Sequence, residues 1–445
     1  MSAGVFVRQR DSVFSAVQGL FLACAGVSLL GAGGAQAQVF TTLVTPAVQP
    51  DYQRDRNVSV LEQPHPDFDT VGIHLGSFYV VPQVTTGIGA SNNVYEVAQN
   101  KVGDIFGFLQ PALHVNSDWS SNQVGLDVSG DLRRYLHQVA RNQDAWQVAS
   151  HVRLDVDEDF NVRLDGQAGR IYESPYTSDA VSNEEVLSYY YRIMGSAQAT
   201  YTQGRVRIEG ALDTTAYTFN FIRFPNGSTI DQTYRNRVTN RASLIAEYAL
   251  SPSASLYTQT TVDQNKYQEK YFFGQPNRDS TGYQIAGGIS MDLAGLLRGS
   301  LGVGYTRRSY KAAVYQAISG VSVQGKVDLF PTPITTVTLT AQRLIQDSSL
   351  GNSSGYIDTR FGGEVDHEVL ENLILTGNVA YYIQSFPTLN AGRHFLTVGG
   401  GGTFWFNHSV GVKLGVTYAQ SHTAKASVGV PFAELSTMLS LTLRR

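Results

Sequence analysis

Five arginines form the most suggestive chemical group in this sequence, because they recur at intervals of two or four positions along two consecutive segments. They are Arg205, Arg207, Arg235, Arg237 and Arg241. Residues two apart share one face of a strand, so these guanidinium groups would form a basic patch on one wall. Such a patch favours anions or acidic sugars. Pairing with the nearby Glu209, Asp213 and Glu247 is the simpler alternative.

Acidic side chains are predicted to share this polar face. The acidic residues expected there are Asp127, Asp131, Glu209, Asp213 and Glu247. The same alternation adds Arg133, Arg153, Arg163, Asp165, Arg192, Asp358, Arg360 and Glu364. Charges of both signs would therefore line one surface, as expected for a polar interior rather than for a single binding pocket.

Catalytic chemistry has little support in the sequence. His114 and His151 fall on the same polar face, where a histidine in a polar network is the ordinary explanation. The glycine run 399–402 lies inside a predicted strand and is not followed by a helix, as a dinucleotide loop requires. No metal-ligand cluster has a useful spacing. We therefore predict no enzyme, no catalytic residue, no metal and no cofactor.

The elements that position these side chains are strands of alternating polarity. From Leu75 onward the chain consists of segments of about 10 to 15 residues in which apolar and polar side chains alternate. Val124, Leu126 and Val128, for example, alternate with polar neighbours. Short turns and long polar loops also alternate along the chain. Counting about nine long and eight short connections predicts about eighteen antiparallel strands, with sixteen as the alternative.

Strands with one apolar face suit either a soluble sandwich or a membrane barrel. Eighteen strands enclose more space than their side chains can fill, so the polar face should be the inner one. We therefore predict an all-β, transmembrane, up-and-down β-barrel in the outer membrane. Aromatic residues expected in its interfacial girdles are Phe78, Tyr79, Trp146, Tyr201, Tyr248, Tyr305, Phe404 and Phe406.

The N-terminus predicts export. Residues 1–37 contain two arginines, an apolar run and the small-residue site Ala35-Gln36-Ala37, which together indicate a cleaved signal peptide. Lipidation of Cys24, the one cysteine, is a weaker alternative. Residues 38–74 are rich in proline and charge, and we expect an extended periplasmic segment. Residues 75–445 would form the barrel.

Several short motifs resemble the bacterial family of beta-barrel porins of type two. They are Gly76 to Pro82, Ser91 to Tyr95, Leu109-Gln110-Pro111, Ser117-Asp118-Trp119 and the turn at Pro331. The resemblance implies an outer-membrane barrel without catalytic residues. Some members of the family lie in exopolysaccharide gene clusters.

Partners and function follow from these expectations. A net charge of -4 with scattered basic residues excludes nucleic acid. The expected partners are outer-membrane lipid and lipopolysaccharide, the barrel-assembly machinery and periplasmic export proteins that contact residues 38–70. The final amphipathic strand resembles the closing strand recognised by that machinery, although it ends on Arg445 instead of an aromatic residue. We predict a pore for small hydrophilic solutes. The alternatives are an accessory component of exopolysaccharide export and a plugged structural barrel.

Overall fold

Eighteen antiparallel strands close into one barrel in the computed structural model, which describes residues 57–173, 184–224, 226–272, 274–350, 353–423 and 428–445. In chain order the strands β1 to β18 are Phe78–Ser91, Asp104–Ser117, Gln123–Tyr135, Gln143–Asp155, Phe160–Tyr172, Tyr189–Gln203, Val206–Phe219, Arg237–Ser251, Ala254–Tyr267, Ser280–Leu293, Leu297–Tyr310, Ile318–Thr332, Thr335–Asp347, Gly355–Leu370, Leu373–Phe386, Ala391–Asn407, Val410–Thr423 and Phe432–Arg444. The predicted fold class and strand count are confirmed.

Each strand pairs with its neighbours in sequence, and the last strand pairs with the first. On β1, Gln83 lies opposite Arg444 and Ser91 lies opposite Ser436 of β18. On its other edge β1 pairs with β2 over its full length. Closure of this kind satisfies the backbone hydrogen bonds that lipid cannot accept or donate, and it removes open edges.

Short and long connections alternate around the barrel. The turns 204–205, 252–253, 333–334, 371–372 and 408–409 each contain two residues, whereas the loops at the other end include 92–103, 173–188, 220–236 and 268–279. Short turns mark the periplasmic side of such barrels and long loops the extracellular side. Both Phe78 and Arg444 then lie at the periplasmic end, as an even strand count requires.

The two faces of the wall differ in polarity. Along β7 the outward side chains Ile208 and Leu212 are exposed, whereas the inward Glu209 and Asp213 are buried among lumen groups. The same pattern recurs in the last strand, where the outward side chains include the exposed leucines Leu435, Leu439, Leu441 and Leu443. Because exposed aliphatic side chains around the whole circumference require lipid, the wall is the surface of a membrane protein.

Smaller elements decorate the barrel ends. A three-residue strand, Ile73–Leu75, pairs with the start of β1 through a turn in which Gly76 has a positive φ of 64°. Loop 220–236 contains the paired short strands Ile222–Arg223 and Thr229–Ile230. The helical turns in the described residues are three-residue 3-10 turns such as Val60–Glu62. No helix in this part of the chain is long and apolar enough to cross a membrane.

Two expectations about the residues at and before the start of β1 need correction. Tyr79 is not a girdle residue, because it faces inward and donates a hydrogen bond from its hydroxyl to the carbonyl of Thr70 at 3.0 Å. Residues 57–70, expected to be an extended periplasmic lead, instead contact the barrel. The predicted signal peptide, Cys24 and the rest of the lead up to residue 56 lie outside the described residues.

Candidate functional site

The five acidic residues predicted for the interior all lie on inward positions of the wall. Four of them contact a basic side chain or histidine: Asp127 with His114 at 2.6 Å, Asp131 with Arg133 at 2.9 Å, Glu209 with Arg207 at 3.0 Å and Asp213 with Arg241 at 2.7 Å. The fifth, Glu247, accepts a hydrogen bond from Ser290 at 2.8 Å. The interior is thus lined by charges that are largely compensated within the wall.

The five predicted arginines do not form one patch. Arg205 lies in the exposed two-residue turn at the periplasmic end, outside the wall. In the register between β7 and β8, Arg207 lies opposite Glu247 and Arg237 lies opposite Tyr217. Arg207 is therefore level with a position ten residues along β8 from Arg237. At ~3.4 Å per residue this separation is about 34 Å. The group therefore divides into a periplasmic part and an extracellular part.

The arginines at the extracellular end are paired with acids that the sequence pattern did not indicate. Arg235 contacts Glu173 with both terminal nitrogens, at 2.7 and 2.8 Å, and its guanidinium lies 3.9 Å from the ring centroid of Phe219. Arg237 lies 3.3 Å from Asp347. Glu173 follows β5 and Asp347 ends β13, so nothing in the local sequence around the arginines could have identified these partners.

Asp347 of β13 contacts side chains from three other strands near the extracellular mouth. Besides Arg237 of β8, it contacts Arg308 of β11 at 2.8 Å and Asn265 of β9 at 2.9 Å. Arg308 also contacts Asp263 at 2.8 Å. Because β8 and β13 are five strands apart, these contacts cross the interior rather than follow the wall.

Hydrogen bonds between extracellular loops add to these contacts across the interior. The hydroxyl of Tyr234, in the loop after β7, donates to the carbonyl of Ser349, in the loop after β13, at 2.9 Å. Arg278, in the loop after β9, donates to the carbonyls of Ser348 and Ser353. Three loops therefore meet on one side of the mouth and narrow its opening.

A second group of loops meets on the opposite side. The buried Arg141 donates to the carbonyl of Val94 at 2.7 Å and to that of Glu184 at 3.0 Å, which joins the loops after β1, β3 and β5. Burial raises the pKa of Glu184 to about 7. Removal from water, together with the nearby Glu434 carboxylate, raises the pKa of Glu96 to about 8. Both carboxyl groups are thus poised to change charge near neutral pH.

The periplasmic mouth is lined by residues 57–70, which we call the N-terminal segment. The carbonyl of Asn57 and the carboxylate of Glu62 both contact Arg298 of β11, at 3.1 and 2.6 Å. The Asn57 amide also donates to Asp292 of β10 at 2.5 Å. Val60, between them, is completely buried and donates its backbone N–H to Thr336 of β13 at 2.9 Å.

Further contacts carry the N-terminal segment around the inner rim. His65 lies 3.2 Å from Glu368 of β14, and Arg444 of β18 donates to the carbonyl of Phe68. The segment then reaches Tyr79 on β1. From β10 to β1 it follows ten neighbouring strands, so it occupies the inner surface of about half of the periplasmic mouth.

The two histidines singled out from the sequence lie on the inner wall. His114 is paired with Asp127, and His151 is opposite Asp165 on the ladder between β4 and β5. Within the part of the chain that the structure describes, no group of three or more His, Cys, Asp or Glu residues is arranged to hold a metal ion. The glycine run 399–402 lies in β16, where it alternates between the two faces of the wall.

A closed eighteen-strand barrel with a lipid-facing exterior and a charged interior defines an outer-membrane β-barrel. The chain belongs to the family described as Putative beta-barrel porin 2, whose model matches residues 65–445. Porins are channels.

Solved structures with a similar overall arrangement include OccK1 (OpdK) of Pseudomonas aeruginosa, with a TM-score of 0.44 and 11% identity over 82% of this chain and 99% of that chain. A BenF-like porin from Pseudomonas fluorescens Pf-5 has a TM-score of 0.45 and 12% identity over 83% and 100%. No curated protein matches the sequence.

Proposed function

We propose that the protein is a passive outer-membrane channel for small hydrophilic solutes. The observation that carries this proposal is the closure of eighteen strands with polar and charged side chains inward. Barrels of this size leave more internal space than their own side chains occupy, and water fills the remainder. Residues 1–37 would direct the chain to this location as a signal peptide.

The pairing of lumen charges indicates selection by size more than by charge. Arg207, Arg235, Arg237 and Arg241 all face a carboxylate within 3.3 Å. A neutralised arginine contributes little long-range field, so it attracts anions weakly. We therefore expect weak ion selectivity and similar permeation of neutral and charged solutes of one size.

The N-terminal segment gives this channel a built-in constriction. It is held by hydrogen bonds, by the Glu62–Arg298 ion pair and by the contact of His65 with Glu368 rather than by a strand ladder, so its docking is separable from barrel formation. We expect a low-conductance state with the segment docked and a higher one when it is released.

Planar-bilayer recording of the purified protein tests the channel. Steady single-channel current is expected, with a larger current from a variant lacking residues 57–70. Liposome swelling with sugars of increasing size gives the exclusion limit. Absence of current and of sugar uptake in both proteins would refute the proposal.

A plugged structural barrel is the second candidate, favoured by the loop contacts across the extracellular mouth. It predicts no single-channel current from either the native protein or the variant lacking residues 57–70. An accessory role in exopolysaccharide export predicts the same absence of current together with loss of surface polysaccharide when the gene is deleted.

A further inference from the structure

Outward-facing charges on the barrel strands are all found at one end of the molecule. Among the described strands, five cationic side chains and one acidic side chain alternate with exposed apolar residues on the outer face, as Arg307 does with Val303. They are Arg134, Arg170, Lys266, Arg307, Arg343 and Asp144. Each lies within four residues of the extracellular end of its strand.

Four of these five cations have no carboxylate partner among the described residues. Asp144 pairs with Arg134 at 2.5 Å, and no carboxylate in the described part of the chain contacts the other four. Arg170 stacks on the ring of Tyr189 at 4.2 Å, and Arg343 donates to the carbonyl of Val321 at 3.1 Å. The extracellular rim of the outer face therefore carries a net positive charge.

The periplasmic rim is different. In the periplasmic halves of the described strands, no Lys, Arg, Asp or Glu takes an outward position, and the girdle there consists of residues such as Phe78, Tyr201 and Phe404. Long basic side chains that only anchor a protein at an interface serve equally at both surfaces of a bilayer. A one-sided positive rim instead indicates a one-sided negative partner.

We propose that this rim binds the phosphate groups of the phosphorylated glycolipid of the outer leaflet, lipopolysaccharide. The core of the site is Lys266 of β9, Arg307 of β11 and Arg343 of β13, three alternate strands on one side of the barrel. At the level of Arg307 the strands on either side present Tyr283 and Ser319, which are polar but uncharged.

Aromatic rings lie beside and below Arg307 on the outer face. Tyr283 is opposite Arg307 on β10, and its ring centroid is 6.3 Å from that of Tyr305, which lies two residues closer to the periplasmic end on β11. Tyr305 marks the boundary between headgroups and hydrocarbon. Guanidinium groups above this boundary lie at the depth of lipid phosphates, and arginine binds phosphate through paired N–H donors. The site is independent of whether the lumen conducts.

The test compares the full-length folded protein with the triple variant K266Q/R307Q/R343Q in vesicles of three compositions. These contain phosphatidylethanolamine with lipopolysaccharide, with dephosphorylated lipopolysaccharide, or with phosphatidylglycerol. We expect the native protein to unfold at a higher temperature only with phosphorylated lipopolysaccharide. In native mass spectrometry the variant should retain less of this lipid, with roughly fivefold weaker binding for each cation removed.

Arg205→Gln is the matched control, because it removes one exposed positive charge at the periplasmic end and should change nothing. If the triple variant does not fold, the amount of lipopolysaccharide retained by the single variants R307Q and R343Q tests the proposal instead. Equal stabilisation of native and triple-variant protein by lipopolysaccharide would overturn the proposal. Equal stabilisation of the native protein by phosphatidylglycerol would also do so, because it would reduce the rim to a general anion-binding surface.

Discussion

Replacing Glu62 with alanine should release the N-terminal segment from the periplasmic mouth without opening the barrel. The carboxylate of Glu62 contacts Arg298 at 2.6 Å and accepts a hydrogen bond from the backbone of Ser59 at 3.0 Å. Arg298 keeps its second partner, Asp328, at 2.9 Å. The substitution therefore removes a contact of the segment without leaving an unpaired charge in the wall.

The size of the effect follows from the burial of this pair. The side chains of Arg298 and Glu62 are 5% and 13% exposed, so the contact is stronger than a surface ion pair. Hydrogen bonds to charged groups contribute about 1.5–3 kcal/mol. A loss of ~2 kcal/mol multiplies the ratio of released to docked segment about 30-fold, since every 1.4 kcal/mol is a factor of ten.

Cysteine labelling measures this ratio directly. A protein produced without residues 1–37 contains no cysteine, and Val60, fully buried when docked, supplies the reporter as Val60→Cys. A water-soluble maleimide reacts only with the released segment. The labelling rate should rise about 30-fold in Glu62→Ala, and the high-conductance state should become more populated.

Glu371→Ala is the matched control, because Glu371 lies in the exposed turn 371–372 at the same end of the barrel. It should leave the labelling rate unchanged. Fast labelling of Val60→Cys in the otherwise native protein would show that the segment is not docked. Equal rates with and without the Glu62 carboxylate would show that its pair with Arg298 does not hold the segment.

Three further outcomes are expected. Arg241→Gln leaves the buried Asp213 uncompensated and should lower the unfolding free energy by about 3–5 kcal/mol, with recovery in the double variant containing Asp213→Asn; no recovery would argue against the pairing. Glu184 is protonated below its pKa of about 7. The protonated carboxyl group of Glu184 contributes fully to loop stability below its ordinary pKa of 4.5, and this contribution is lost as pH rises through 7. Proteolysis of the extracellular loops should therefore accelerate between pH 5 and pH 8. Glu184→Gln should abolish this acceleration. Val379→Lys, near the middle of the lipid face, should destabilise the barrel by about 2–4 kcal/mol, whereas Lys at the adjacent inward position of Asn378 should cost less; similar losses would contradict the assigned faces.

Much of the wall could be predicted from sequence, because alternate side chains along a barrel strand face lipid and the interior and differ in polarity accordingly. In β7, Ile208 and Leu212 face lipid and Glu209 and Asp213 face the interior, as the alternation predicts. The alternation of short turns with long loops similarly gave the strand count. Both signals are local, because strand register is set by the hydrophobic pattern and by turn geometry.

Contacts across the interior could not be predicted in the same way. The pairs Arg235–Glu173 and Arg237–Asp347 join residues far apart in sequence, and their formation depends on how loops fold inward. The proline-rich composition before β1 suggested an extended lead, yet Glu62 finds its partner 236 positions later, at Arg298. Local composition carries no information about a complementary charge on a distant strand.

The seam between the first and last strands sets the order in which the molecule is completed. Val84, among the earliest residues of the wall, has Leu443 as its neighbour in β18, so this ladder forms only after almost the entire chain has arrived. Until then β1 offers one unsatisfied edge, which the exported chain must keep from pairing with other molecules. Arg444, which anchors Phe68, also arrives at that last moment. The contact between Arg444 and Phe68 therefore forms only in a completed barrel. A chain truncated within its last dozen residues should lack both the ladder between β1 and β18 and this contact of the N-terminal segment.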